Sequence, residues 1–358
     1  MNLFKKKNHT YLYIFFFIIV FIISEFSTNF VLANGYNITK IDVQENYDLE
    51  FEKSKVVDKA FRSAFKTLSY KILYKEDRNK LNNISLQEIK SLIESFTITN
   101  EKFINDKYHA QFDVQFNKKK ILKFTEDKNI ISSFPKDIKI FLLPILIDAR
   151  EKKVTYLSEN IYFKKWNKNI KNYLLLDYIL PNEDIEDYLI MNKNIDNIEN
   201  KNFNEIINKY NINNHIILII LKNENLIKTL SKIKIDEKNM IVNKFYKNDS
   251  INKQENVEKI ILDLKEIYED KWKSLNKLNT LISLPIRLSV SSKNIEMSEK
   301  LEKTLLNIDL ISDFNIEKFD NKEIIYKIIY NSTPDKFLDT MLSNNFRIDT
   351  SSDLWKIN

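Results

Sequence analysis

The sequence predicts a mixed α/β and α+β protein: a small α/β module, a central α/β module with a partly parallel sheet, and a C-terminal ferredoxin-like module. Three observations predict it. Amphipathic helical stretches alternate with strand-like runs along most of the chain. Two segments, Ile138–Ile147 and His215–Leu221, are almost wholly apolar, as strands buried on both faces of a parallel sheet are. The last 80 or so residues read in the order βαββαβ, the ferredoxin-like arrangement.

The N-terminus reads as an export signal. Lys5, Lys6 and Lys7 form a positive start, and Tyr11 to Ile23 is an unbroken apolar run. Val31, Leu32 and Ala33 follow, with Ala33 as the expected cleavage point. A membrane span needs about 20 residues, so the run is short for one, and Glu25 interrupts any extension. The competing expectation is an uncleaved anchor that touches the membrane only through residues 11–33. Without cysteine, lipoprotein processing is excluded.

Residues 34–133 form the first expected module. Tyr36 to Phe51 can extend. Ser54 is positioned as an N-cap. From Val56 to Ile72 apolar residues recur at i, i+3, i+4 spacing, predicting an amphipathic helix. A second helix is expected over Ser85–Phe96. Strands are expected over Thr97–Ile104 and Lys107–Phe116, joined by a two-residue turn at Asn105-Asp106. Lys118–Lys128 completes the module as a helix.

The second module spans residues 134–278, opening after Pro135 with the apolar strand. Pro144 inside that strand predicts an irregularity or an end. Helices are expected over Ile161–Ile170, Asn182–Met191 and Asn204–Tyr210, and strands over Tyr173–Leu180 and His215–Leu221. Ile227–Ile235 and Met240–Tyr246 form a hairpin, and Asn256–Asn276 a long helix. The third module, 279–358, runs as strand Leu281–Val290, helix Asn294–Ile308, strands Leu310–Phe319 and Glu323–Tyr330, then a helix. Thr333-Pro334 opens that helix as a cap with proline in its first turn, and Phe346–Trp355 closes the module as a strand.

Composition excludes several chemistries. The chain has one glycine, Gly35, beside the cleavage point, no cysteine, and three histidines, of which His9 lies in the signal. That leaves no glycine-rich phosphate loop, dinucleotide fingerprint or glycine-flanked nucleophile elbow. It also leaves no thiolate nucleophile and no multi-histidine metal site. Net charge is +6. Three lysines less Glu25 put +2 of it in the signal, and the rest is interspersed, which is no nucleic-acid footprint.

The chain resembles a bacterial family of unknown function, DUF2066, over most of its mature length. The resemblance rests on YHAQFDVQFNKKKILKF (Tyr108–Phe124), on FLLPILID with ENIYFKKW and LPNEDIEDY, and on NSTPDKFLDTMLSNNFRIDTSSDLWKI. It implies an exported, envelope-associated protein and supplies no reaction. The first two regions are also similar, at the level of fold, to small modules of periplasmic assembly proteins.

Candidate site residues are few. Tyr162 and Trp166, spaced i, i+4, are the interface candidates. Glu183, Asp184 and Asp187, with Glu186 between them, are weak ligand or divalent-cation candidates, although the spacing fits no calcium loop. The plainer reading of these acids is complementarity to a helix N-terminus. His109 and His215 could each serve as a base, and His215 joins the acids as a weak ligand or metal candidate. The expectation is therefore a periplasmic, non-catalytic protein acting in interaction or assembly with an envelope protein partner, without cofactor or nucleic acid. The alternatives are a periplasmic enzyme or small-ligand binder using carboxylates and hydroxyls, and an inner-membrane-anchored protein with the same modules.

Overall fold

The computed structural model describes residues 36–168, 171–193, 195–224, 226–247, 254–278, 283–308 and 310–357. The expected export signal with its cleavage point Ala33, and the expected strand start at Leu281, lie outside the described residues. The fold mixes helices and strands, with sheets that are partly parallel and partly antiparallel. Among the described residues, no helix is long and apolar enough to cross a membrane.

The first sheet has the order β1-β3-β2, all antiparallel: β1 (Asn37–Asn46), β2 (Ile93–Ile104) and β3 (Lys107–Phe116). Helix α1 (Lys53–Ile72) lays Val56, Ala60, Ala64 and Leu68 against Phe112, Val114 and Phe116. Burial of that stripe, not a cap, holds the helix. It starts at Lys53, before Ser54, and Glu52 at the cap position makes no side-chain bond. The second helix, α2 (Leu86–Leu92), begins as expected at Ser85, and the structure adds that Ser85 and Glu88 form a capping box. It stops four residues short of Phe96 because Ile93 onward pairs with β3, starting opposite Phe116. Asn105 and Asp106 both take positive φ, 51° and 53°, giving the tight hairpin turn without glycine. Helix α3 (Lys118–Asp127) follows, capped by Asn117.

A two-stranded ribbon joins this unit to the next: β4 (Ser132–Ser133) pairs with β11 (Lys277–Leu278). The largest sheet centres on β5 (Ile138–Asp148). It pairs in parallel with β7 (Leu176–Ile179) and β8 (His215–Lys222), and antiparallel with β6 (Lys153–Val154). The hairpin β9 (Leu226–Ile235) and β10 (Lys238–Lys247) extends it, so β10 is an edge. Contrary to expectation, Pro144 neither ends nor interrupts β5. On the side away from β8, β7 pairs only Ile138–Phe141 and β6 only Ile147–Asp148. Pro144 sits in the gap, where no ladder bond from its nitrogen is needed. Its carbonyl accepts from Asn160 Nδ2 at 3.0 Å.

Helices cover both faces of this sheet. On one side lie α4 (Ile161–Trp166) and the long α7 (Gln254–Leu275), over Ile216, Leu218 and Ile220. On the other, α5 (Ile185–Asn192) and α6 (Asn204–Asn208) cover Phe141, Leu143 and Ile219.

The third sheet has the order β13-β14-β12-β16-β15, formed by β12 (Leu284–Ser291), β13 (Ile311–Phe319), β14 (Glu323–Tyr330), β15 (Ile348–Asp349) and β16 (Trp355–Ile357). Its two helices are α8 (Ile295–Asn307), capped by Asn294, and α9 (Pro334–Ser343), capped by Thr333 with Pro334 in its first turn. The βαββαβ order is present, with one change at its end. In place of one strand over Phe346–Trp355, two short strands form a hairpin, and β16 inserts parallel to β12. Asp349 accepting from Ser351 N makes the intervening turn.

Candidate functional site: a buried charged row and a basic groove

Tyr162 and Trp166 are not surface residues. They are 3% and 0% exposed, and pack with Tyr178 and Tyr268 under α7. The interface expectation for this pair is therefore corrected. The i, i+4 spacing marked a stripe on a very short helix, and that stripe faces inward. Asn160, itself fully buried, fixes the helix. Its Oδ1 accepts from Tyr162 N and Phe163 N while its Nδ2 holds Pro144.

The acidic cluster divides. Glu183 accepts from Ser158 N at 3.0 Å. Asp184 caps α5 through Glu186 N, and together with Asp187 it converges on Lys209, at 2.8 and 2.6 Å. Glu186 starts the same helix. The Lys209 ammonium, then the Glu186 N–H, holds the Asp184 carboxyl below its usual range. Asp187 is 1% exposed and its Oδ2 has no hydrogen-bond partner. Among the described residues no three His, Asp or Glu side chains converge as a metal site would require. Lys209 occupies the place a cation would take between Asp184 and Asp187, and Glu183 points elsewhere.

His109 lies at mid-strand on the open face of the first sheet, across from Gln44 and Lys102. His215 opens β8, with Nδ1 3.1 Å from the Asn213 carbonyl. Burial pushes its pKa down, and Lys234 adds to this against the Asn213 contact. No carboxylate contacts either ring among the described residues, so neither has the partner that orients a base.

The chemically unusual groups are three that sequence reasoning missed. Lys265, Glu269 and Lys273 stand in a row on α7 at i, i+4, i+8, and all are at least 97% buried. Each is satisfied by the backbone of a different segment. Lys265 Nζ donates to the carbonyl of Trp166, the last residue of α4, at 2.7 Å, and lies over the Trp166 and Tyr178 rings. Glu269 accepts from Leu175 N and Leu176 N at 2.9–3.1 Å, at the entry to β7. Lys273 Nζ donates to Tyr70 O and Leu73 O, at the end of α1. Cations at helix C-termini meet the exposed carbonyls and the negative end of the dipole. Burial drives both lysines down to about 8, and pushes Glu269 up against the pull of its two N–H donors and Lys273. In sequence the row reads as an ordinary solvent-facing ion-pair ladder, so no signal separated it from one.

On the opposite face of the large sheet lies a groove of about 350 Å3. Lys201, Lys232, Lys234 and His215 line it with several asparagines and no carboxylate. Lys201 is tied down by the Ile190 and Lys193 carbonyls, and Lys232 reaches the Lys201 carbonyl. This lining suits an anion rather than proton transfer.

No protein-family model matches the chain, and no curated protein matches it.

Proposed function

We propose that this is an exported, envelope-associated protein that works by interaction or assembly rather than catalysis. One observation carries the interaction reading. Each of the three sheets ends in a long edge strand that leaves large apolar side chains in water: Phe103 and Ile104 on β2, Ile241 and Phe245 on β10, Ile316 and Phe319 on β13. Unpaired edges with exposed apolar residues are where extended partners add to sheets. The non-catalytic reading is supported by the α7 row, whose shifted groups are already bound to backbone. Export rests on the N-terminal pattern alone.

In-cell photo-crosslinking tests this, with a crosslinking residue placed in turn at 103, 245 and 319 and at the buried control 218. One recurrent envelope protein captured from edge positions and not from the control is the expected result. Cytoplasmic fractionation, or edge positions that capture no more than the control, would sink the reading. Intact-mass analysis of envelope-purified protein separates cleavage after Ala33 from anchoring.

A further inference from the structure

We propose that the basic groove beside β9 binds a small amphiphilic organic anion. This is a function separate from partner docking at the sheet edges.

Lys232 and Lys234 share one face of β9, and His215 on β8 lies opposite Lys234 in the register. β9 is an interior strand, between β8 and β10, so these lysines guard no free edge. Lys228 stands on the same face four residues before Lys232, and Glu199 neutralises it at 3.0 Å. Lys232 and Lys234 make no such ion pair among the described residues, and the Lys232 ammonium has the Lys201 carbonyl at 3.4 Å. Like charges set side by side on a sheet are unfavourable. His215 donates from Nδ1 to the Asn213 carbonyl, which leaves Nε2 as the nitrogen for a ligand. Acids do occur nearby: Glu205 in the first turn of α6 attracts Lys201, and Asp236 and Glu237 occupy the β9–β10 turn. All three are exposed, and none lines the groove.

The same groove has an apolar part. Ile207 and Ile217, both buried, form its floor, and Met240 with the exposed Ile241 stands on the β10 side. Its volume of about 350 Å3 is at the small end of ligand sites, which run from roughly 300 to 1,000 Å3. Charge alone would suit any anion, but the apolar wall and the volume narrow the choice. A bare inorganic anion would leave Met240 and Ile241 in water, and a neutral ligand would leave the ammonium groups without a counter-charge. A short apolar body ending in one anionic group meets both halves of the lining.

The test uses the full chain and four probes: octanoate, octyl phosphate, octanol and inorganic phosphate. Titration calorimetry should show saturable binding of octanoate or octyl phosphate, and the tighter of the two names the head group. Octanol and inorganic phosphate each lack one half of the match and should bind at least about tenfold more weakly. A Lys232→Gln, Lys234→Gln variant with unchanged circular dichroism should also lose about tenfold, whereas Lys228→Gln, outside the lining, should lose little. Burial and Lys234 hold the His215 pKa down in the free chain. Its ring resonances, assigned by their loss in His215→Gln, should titrate at higher pH once the anion is bound. If the double variant misfolds, Ile241→Asn, at an exposed position, takes its place as the change that weakens binding of the amphiphile. The proposal is overturned if neither amphiphile binds saturably, or if octanol or inorganic phosphate binds as tightly. A His215 titration that the ligand leaves unmoved, or an equal loss in Lys228→Gln, overturns it as well.

Discussion

Lys273 Nζ lies 2.6 Å from the carbonyl oxygen of Tyr70, a residue 203 positions earlier in the chain. The same ammonium holds Leu73 O at 2.9 Å, so one buried cation closes the end of α1 from α7. Lys273→Met removes the donor and leaves two inward carbonyls without it. Loss of about 2 kcal/mol is expected, since an unmade bond at a buried acceptor outweighs relief of the lysine's own burial. Urea unfolding checks this: an unchanged midpoint would mean the contact is idle.

Glu269 stands between the two lysines and receives the Leu175 and Leu176 N–H groups. Glu269→Leu deletes the acceptor, leaves Lys265 buried without a negative neighbour, and leaves Lys273 with Asp270 at 4.0 Å. A loss of about 3–5 kcal/mol is expected, as for one partner removed from a buried charged set. Glu269→Gln keeps one carbonyl acceptor and should lose less. Equal losses in the two variants, measured by thermal unfolding, would show that shape and not hydrogen bonding holds β7.

The α7 lysines make stability depend on pH in a stated direction. Their ordinary value is 10.5, and burial holds both at about 8 in the folded chain. Between those values the unfolded chain binds more protons, so stability rises with pH through that window. The penalty for the buried charge is fully present below pH 8. The rise is at most about 1.4 kcal/mol per pH unit for each lysine. Tyr162 and Tyr326 act oppositely: burial pushes both up to about 12, so above pH 10 the folded chain holds the extra protons and stability falls. Denaturant midpoints across pH 7–11 should therefore peak near pH 10, with the rise reduced in a Lys265→Met, Lys273→Met variant. An unaltered rise in that variant would assign it to other groups.

What the sequence made legible was whatever is decided locally. The Asn105-Asp106 turn, the helix start at Ser85 and the Thr333-Pro334 helix start depend on neighbours within a few residues, and all three stand where expected. The apolar runs at Ile138 and His215 do pair in parallel. The misreadings arise where a distant strand decides. Residues Ile93–Phe96 carry a helical pattern but pair with β3, and Pro144 is tolerated only because β6 and β7 leave a gap beside it. The candidate sites were least legible for the same reason. Lys265 bears a residue type that suggests exposure, and Trp166 sits on a helix too short for its spacing to fix a face, so only the packing of α4 beneath α7 reveals that both are inside.

Lys209 links Asp184 and Asp187, two acids that in sequence read as a cation site. Its ammonium contacts Asp184 Oδ2 and Asp187 Oδ1, and these hydrogen bonds raise its pKa. Asp187 is inside the protein, whereas Asp184 and Lys209 are partly in water. Lys209→Met strands the buried Asp187 carboxylate, so a loss of stability is expected at neutral pH. Asp187→Asn in the same background should recover part of the loss at pH 7, while Asp184→Asn, at the wetter position, should recover little. Chemical-denaturation midpoints of the variants at pH 7 read this out. Equal rescue by both asparagines would show that burial of Asp187 is not what makes Lys209 necessary.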